Sequence, residues 1–183
     1  MNKIVIVING KAEAGKDTFC DLIIKRYNAK KISAITPVLK AASELGWDGS
    51  KDNKSRKFLS DLKRACIDFN NLPNNYLLYK YNDFLCSSDE ILFVHIRESD
   101  QIKLFLDSIN AKGQTAYATL LIKRDAFRKP KFIGNDSDDC VDKFAYDYYF
   151  NNDGSIEQSE KEFLEFFEKI LKEKNIVNMG ELS

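Results

Sequence analysis

Near the start of the chain, Gly10, Gly15, Lys16, Asp17 and Thr18 have the types and spacing to hold a phosphorylated ligand. They sit in the run KIVIVINGKAEAGKDT, with Ala14 just ahead of the second glycine. Glycines allow backbone N–H groups to converge on an anion, and a helix that opens at Gly15 adds positive potential at its N-terminus. Lys16 then stands where an ammonium reaches the terminal phosphates of a bound nucleotide. The residue after that lysine commonly carries a hydroxyl that ligates magnesium, whereas here it is the carboxylate of Asp17 and the hydroxyl follows at Thr18. Both are hard oxygen donors and are the expected metal ligands.

Such a loop works only between a strand and a helix, and the flanking pattern supplies both. A β-branched run at 4–8 predicts a buried strand, and Phe19, Leu22, Ile23 and Tyr27 mark one face of a helix. Further along, residues 31–35 predict a short strand. Thr36-Pro37 opens a helix that ends at Gly46, and residues 47–56 read as a polar loop. Apolar positions Phe58, Leu62, Cys66 and Phe69 predict a helix over 54–70, broken at Leu72-Pro73, and a second helix follows over 74–86. ILFVHI at 91–96 is the kind of continuous apolar run found in a parallel sheet covered on both faces. A helix through Ile102, Phe105, Leu106 and Ile109 follows, then a strand at 117–122, a lid-like segment at 124–145, a strand at 146–150 and a final amphipathic helix. This alternation predicts an α/β fold, with a doubly wound, mostly parallel sheet of about five strands in a single domain spanning 1–183. Residues 36–90 form a helical insertion, and ligands lie beyond the carboxyl ends of the strands.

Composition narrows the partners. Lys plus Arg equals Asp plus Glu, 28 against 28, so no global field favours nucleic acid or an acidic membrane, and a polyanion must be gripped locally. Cys20, Cys66, Cys86 and Cys140 are widely separated and share the chain with one histidine, which argues for reduced structural thiols rather than a zinc site. No segment reads as a signal peptide or a membrane span, so the expectation is a soluble cytoplasmic protein.

Phosphoryl transfer to an acceptor phosphate needs positioned cations more than acid–base groups, because the acceptor oxygen is already anionic. Arg97 follows the ILFVHI strand directly, and Arg124 and Arg128 stand four apart after the next one. In the insertion, GWDGSKDNKSRKFLSDLKR resembles the substrate-side helix of phage-type deoxynucleoside monophosphate kinases. With the stretch Thr36 to Lys40, this resemblance makes Lys40, Arg56 and Arg64 candidate acceptor ligands and Trp47 or Phe69 candidate stacking partners for a base. Lys57 and Lys63, and equally Arg64, also read as a solvated helix face.

The Gly-Lys-Asp-Thr stretch resembles the loop of phage-type deoxynucleoside monophosphate kinases and their bacterial relatives, within the P-loop nucleoside and small-metabolite kinases. Thr36-Pro37-Val38-Leu39-Lys40 resembles their Asp-Pro-Leu-Lys stretch, and His95-Ile96-Arg97 stands where they read roughly Asp-Val-Arg. The resemblance implies ATP as phosphoryl donor, Mg2+ as its metal, and a small phosphorylated acceptor, foremost a nucleoside or deoxynucleoside monophosphate. It further implies that Lys16 bridges the terminal phosphates, Arg97 and Arg128 neutralise the transferring group, Arg124 stacks on adenine, and Asn152 meets the purine edge. With His95 in place of an acidic residue, either Asp17 and Glu98 take over at the metal or metal binding is weak. Two alternatives stand beside this. One is another metabolite kinase, of the dephospho-coenzyme A or phosphomevalonate type. The other is a nucleotide-binding regulator that transfers no phosphate.

Overall fold

The structure is a computed structural model and describes residues 3–124 and 141–176. Its centre is β1, Ile4–Asn9, with all six residues buried. On either side lie β3, Ile91–His95, and β4, Ala116–Lys123, with β2, Ala29–Ser33, and β5, Tyr148–Asn151, at the edges. The order is β2-β3-β1-β4-β5, and every neighbouring pair is parallel. In register, Ile4 lies opposite both Ile91 and Ala116, so β1, β3 and β4 begin level, and β4 runs on past the other two to Lys123.

Side chains alternate across the strands, and each set has its own helical cover. Ile4, Ile6 and Ile8 pack with Phe19, Cys20 and Ile23 of α1, Lys16–Ile24, and with Phe163 and Phe167 of the last helix, Ile156–Glu173, here α6. Val5 and Val7 pack instead with Leu77, Tyr81 and Phe84 of α4, Leu72–Cys86, and with Ile102 and Phe105 of α5, Ser99–Asn110. Burial on both faces explains why β1 and β3 read as unbroken apolar runs.

Two helices stand outside this sandwich. Helix α2, Thr36–Glu44, carries Pro37 in its first turn, and α3, Asn53–Asn70, begins where the Asp52 side chain accepts from the Ser55 N–H at 2.7 Å. That cap starts α3 one residue ahead of the helix expected over 54–70. Only Ser55 of α3 is buried, and the helix packs on α2 and α4 rather than on the sheet. The break expected at Leu72-Pro73 falls at Asn71, and Pro73 occupies the first turn of α4, where its missing N–H is harmless.

The edge strands differ from expectation by about two residues. β2 runs 29–33 rather than 31–35, and β5 runs 148–151 rather than 146–150. Tyr146, expected in β5, turns its hydroxyl inward to the Val141 carbonyl at 3.1 Å. Most of the lid-like segment, with Arg128, the acidic run 135–139 and Cys140, lies outside the described residues. Cys20, Cys66 and Cys86 are free thiols. No helix among the described residues is long and apolar enough to cross a membrane.

Candidate active site

The loop between β1 and α1 has its shape enforced by close contacts. A Cβ on Gly10 would stand 2.6 Å from the carbonyl oxygen of Ile122, and one on Gly15 2.5 Å from Asn152 Nδ2. Gly15 also holds a φ of 98°, a left-handed conformation that side-chain-bearing residues rarely adopt. Inside the loop, the Gly10 N–H donates to Asn9 Oδ1 at 2.9 Å and the Ala14 N–H to the Lys11 carbonyl at 3.2 Å. Lys16 Nζ reaches back to that same carbonyl at 3.3 Å. No side chain caps α1, so the N–H groups of its first turn carry no side-chain cap.

Asn152, expected at the purine edge, is buried beneath this loop and donates from Nδ2 to the Ala14 carbonyl at 2.9 Å. The bond ties the end of β5 to the loop after β1. Asn152→Ala would leave that carbonyl unpaired, so a stability loss of about 1–3 kcal/mol is expected. Thermal melts should show the lower Tm, and nucleotide titrations a several-fold loss of affinity from a loosened loop.

Above the carboxyl ends of β1 and β3 lies a cavity of about 660 Å³. Lys16 and Asp17 line it from the loop, Lys31 to Thr36 from the end of β2, and His95 to Glu98 from the end of β3. Its outer wall is α3, which contributes Arg56, Leu59, Ser60 and Lys63, and Tyr76 of α4 closes one side. Arg97 is placed through its backbone: its carbonyl accepts from Asn9 Nδ2 at 3.3 Å, and the same amide donates to the Tyr146 hydroxyl at 2.8 Å. Asn9 therefore couples the loop after β1 to the loop after β3.

Of the residues expected from sequence, the cavity gathers Lys16, Asp17, Arg56 and Arg97. Gly10, Ala14 and Gly15 form the loop beside it. Thr18 and Lys40 are exposed, Arg64 points off the cleft-facing side of α3, and Arg124 follows β4 half-buried; none of the four lines the cavity. Trp47 donates its indole N–H to the Ser50 carbonyl at 3.2 Å, and Phe69 is exposed at the far end of α3. The sequence pattern left Asn9, Ser60 and Tyr76 unmarked and placed Lys63 on a solvated helix face, yet all four line the cavity. One signal was present: Arg56, Ser60 and Lys63 are spaced i, i+4, i+7 and so share a helix face.

Electrostatically the cavity is unlike the rest of the chain. Lys16, Lys31, Arg56, Lys63 and Arg97 face Asp17 and Glu98, an excess of three positive charges in a chain whose net charge is +0. Lys63 holds both oxygens of Glu98 at 2.6 Å. Lys31 bonds Asp21 at 2.7 Å, which raises its pKa, and stands 3.9 Å from the Asp17 carboxylate.

His95 fills the place where the resemblance expects an acid. Burial pushes its pKa down to about 4, against a small opposing pull from Asp17, and the cations Lys16, Lys31 and Arg97 push the same way as burial. Its Nε2 lies 3.7 Å from Cys20 Sγ, a thiol that burial holds protonated. The imidazole is therefore neutral near pH 7. Because the folded-state pKa lies below the ordinary 6.5, the stability involved is intact above pH 6.5 and drains away as pH falls towards 4. The full loss is on the order of 3 kcal/mol. His95→Gln is expected to flatten this limb of a stability–pH curve measured by urea unfolding.

For magnesium the donor set fits in part. Asp17 offers a carboxylate that is 75% exposed at the cavity rim, whereas Thr18 does not line the cavity and both Glu98 oxygens are engaged by Lys63. A magnesium ion would therefore take Asp17 as its protein ligand. Its chemistry would be to offset the charge of the nucleotide phosphates.

No family model matches the sequence, and no curated protein does. Solved structures do match. One is a Chloroflexus aurantiacus protein named as a kinase by inference, at 10% identity and a TM-score of 0.56, covering 94% of this chain and 98% of that one. Another is the tunicamycin resistance protein of Deinococcus radiodurans, at 13% identity and a TM-score of 0.54, covering 99% of each chain. The likeness carries the architecture: this chain has the α/β P-loop NTPase fold, with five parallel strands flanked by helices.

Proposed function

We propose that the chain is an ATP-dependent kinase that transfers the γ-phosphoryl group to a small phosphorylated acceptor, best matched by a nucleoside or deoxynucleoside monophosphate. The observation that carries this is the cavity charge. Three surplus cations converge beside a phosphate-binding loop in a chain with no net charge to spare. Transfer between two phosphates crowds negative charge, and fixed cations in a cleft stabilise it most where it builds up.

In this reading the loop N–H groups and Lys16 hold the β- and γ-phosphates of ATP, and Asp17 holds magnesium. Arg56 and Arg97 face them across the cavity and hold the acceptor's phosphate. An acceptor oxygen forms its bond to the γ-phosphorus as the bridge to the β-phosphate breaks and ADP leaves. Arg97 neutralises the group in flight, as does Arg128, whose place lies outside the described residues. Tyr76, Leu59 and Ile35 give the cavity an apolar side suited to a planar base, and a volume of about 660 Å³ suits a ligand of nucleotide size.

The test is ADP release from magnesium ATP with each common ribo- and deoxyribonucleoside monophosphate in turn, and the Lys16→Ala protein as blank. Stimulation by one or a few of them names the acceptor. His95 favours a second reading, nucleotide binding without transfer, because a neutral imidazole supplies no negative charge at the metal. That reading prevails if calorimetry shows ATP binding and no monophosphate raises ADP release. Stimulation only by another phosphorylated metabolite would keep the kinase and change its acceptor.

A further inference from the structure

The pair Lys63–Glu98 stands inside the acceptor side of the cavity, and solvation of a helix face does not account for it. Lys63 shares the cleft-facing stripe of α3 with Arg56 and Ser60, and all three line the cavity. Along the helix axis Arg56 and Lys63 are about 10 Å apart. The lysine side chain is only 13% exposed and its partner 26%, so the pair is more enclosed than an ordinary surface ion pair. Glu98 occupies the N-cap of α5 yet makes no cap bond, and directs its carboxylate across the cleft mouth instead. Helix α5 thus does not need that carboxylate where it is.

We propose that Lys63 is a third cationic ligand for the acceptor's phosphate, and that Glu98 holds its place until the acceptor arrives and then yields it. This rests on the kinase reading of the same cavity. A phosphate dianion carries more charge and more acceptor oxygens than a carboxylate, and next to Arg56 and Arg97 it competes well for one ammonium. Exchanging one anion for another keeps the more deeply enclosed Lys63 paired throughout, and Glu98, twice as exposed, turns its carboxylate to water. Helix α3, with one buried residue and no large contact with the sheet, can follow the lysine as it changes partner. The exchange makes the outer wall of the cavity responsive to whether an acceptor is present. It also selects for acceptors that bring a full phosphate over those bringing a single carboxylate or a hydroxyl.

The two halves of the pair should act in opposite directions. By calorimetry with inorganic phosphate, Glu98→Gln is expected to bind about fivefold more tightly and Lys63→Met about tenfold more weakly, while ATP affinity changes less than about twofold in both. Lys63→Arg, which keeps the charge, should retain phosphate binding. KM for the stimulating monophosphate should follow the same signs. If the pair only ties α3 to the sheet, both variants lose stability together and phosphate binding moves in one direction or not at all, which overturns the proposal. A contrast that vanishes at 0.5 M chloride marks a through-space field rather than contact, and also overturns it. Failure of the underlying reading looks different: wild-type protein would bind ATP and take up neither inorganic phosphate nor any monophosphate.

Discussion

Lys16→Ala is expected to lower ATP affinity by about 100-fold or more and to remove phosphoryl transfer with it. A charge-assisted hydrogen bond contributes roughly 1.5–3 kcal/mol, and an ammonium placed to touch two phosphates makes more than one. The loop itself should survive. Its backbone is set by Gly10 against the Ile122 carbonyl, by Gly15, and by the bond from Asn152 to Ala14, none of which involves the lysine side chain. The bond of 3.3 Å that the lysine makes to the Lys11 carbonyl is not one of these, so the Tm of the variant should stay close to wild type. Calorimetry with ATP and a thermal melt on the same sample separate the two effects. A folded Lys16→Ala protein that binds ATP as the wild type does would remove the loop from nucleotide binding. It would also leave the cavity charge without its donor.

How much of this site could be read from the sequence depends on which residues report to the core. The strand, loop and first helix were legible because β1 is buried on both faces and nothing but a β-branched run fills it, while the glycines answer to contacts that any side chain would violate. Arg97 was legible for the same reason, as the first full charge after a strand that is apolar but for His95. The edge strands were less so. β2 is half-exposed along its length, so its pattern lacks a sharp apolar boundary and hydrogen bonding to β3 decides where it begins.

Helix α3 shows the other limit. Its apolar positions fix one stripe, but the remaining surface divides between solvent and cleft, and no local pattern separates Lys63, which lines the cavity, from Arg64, which does not. A turn of roughly 100° between neighbours decides it, and only the placement of α3 on α2 and α4 says which side faces in. Asn9 was hidden differently. Beside a glycine it reads as turn chemistry, yet its amide is buried and joins the Arg97 carbonyl to Tyr146, partners 88 and 137 residues away. Asn152 likewise read as part of a turn, and its partner Ala14 lies 138 residues away. Long-range hydrogen bonds between loops leave no periodic trace in a sequence.

Arg97→Ala should divide the two substrates. Its position follows from β3, which lies directly beside β1, and from the Asn9 amide that grips its carbonyl; its side chain lines the cavity on the side facing α3. Removing the guanidinium leaves the backbone bond to Asn9 in place, and ATP affinity is expected to stay within about twofold. The acceptor reaction should fall by about 100- to 1000-fold in kcat/KM, the range seen when a preorganised charge is removed from a developing anion. If most of that fall is in kcat, the arginine acts on the transferring group; if most is in KM, it acts on the resting acceptor phosphate. Arg97→Lys restores the charge without the planar fork, so it should recover binding better than turnover. An Arg97→Ala protein with weakened ATP binding and unchanged acceptor kinetics would move the residue to the donor side. The acceptor's phosphate would then rest on Arg56 and Lys63, the two cations that α3 presents to the cavity.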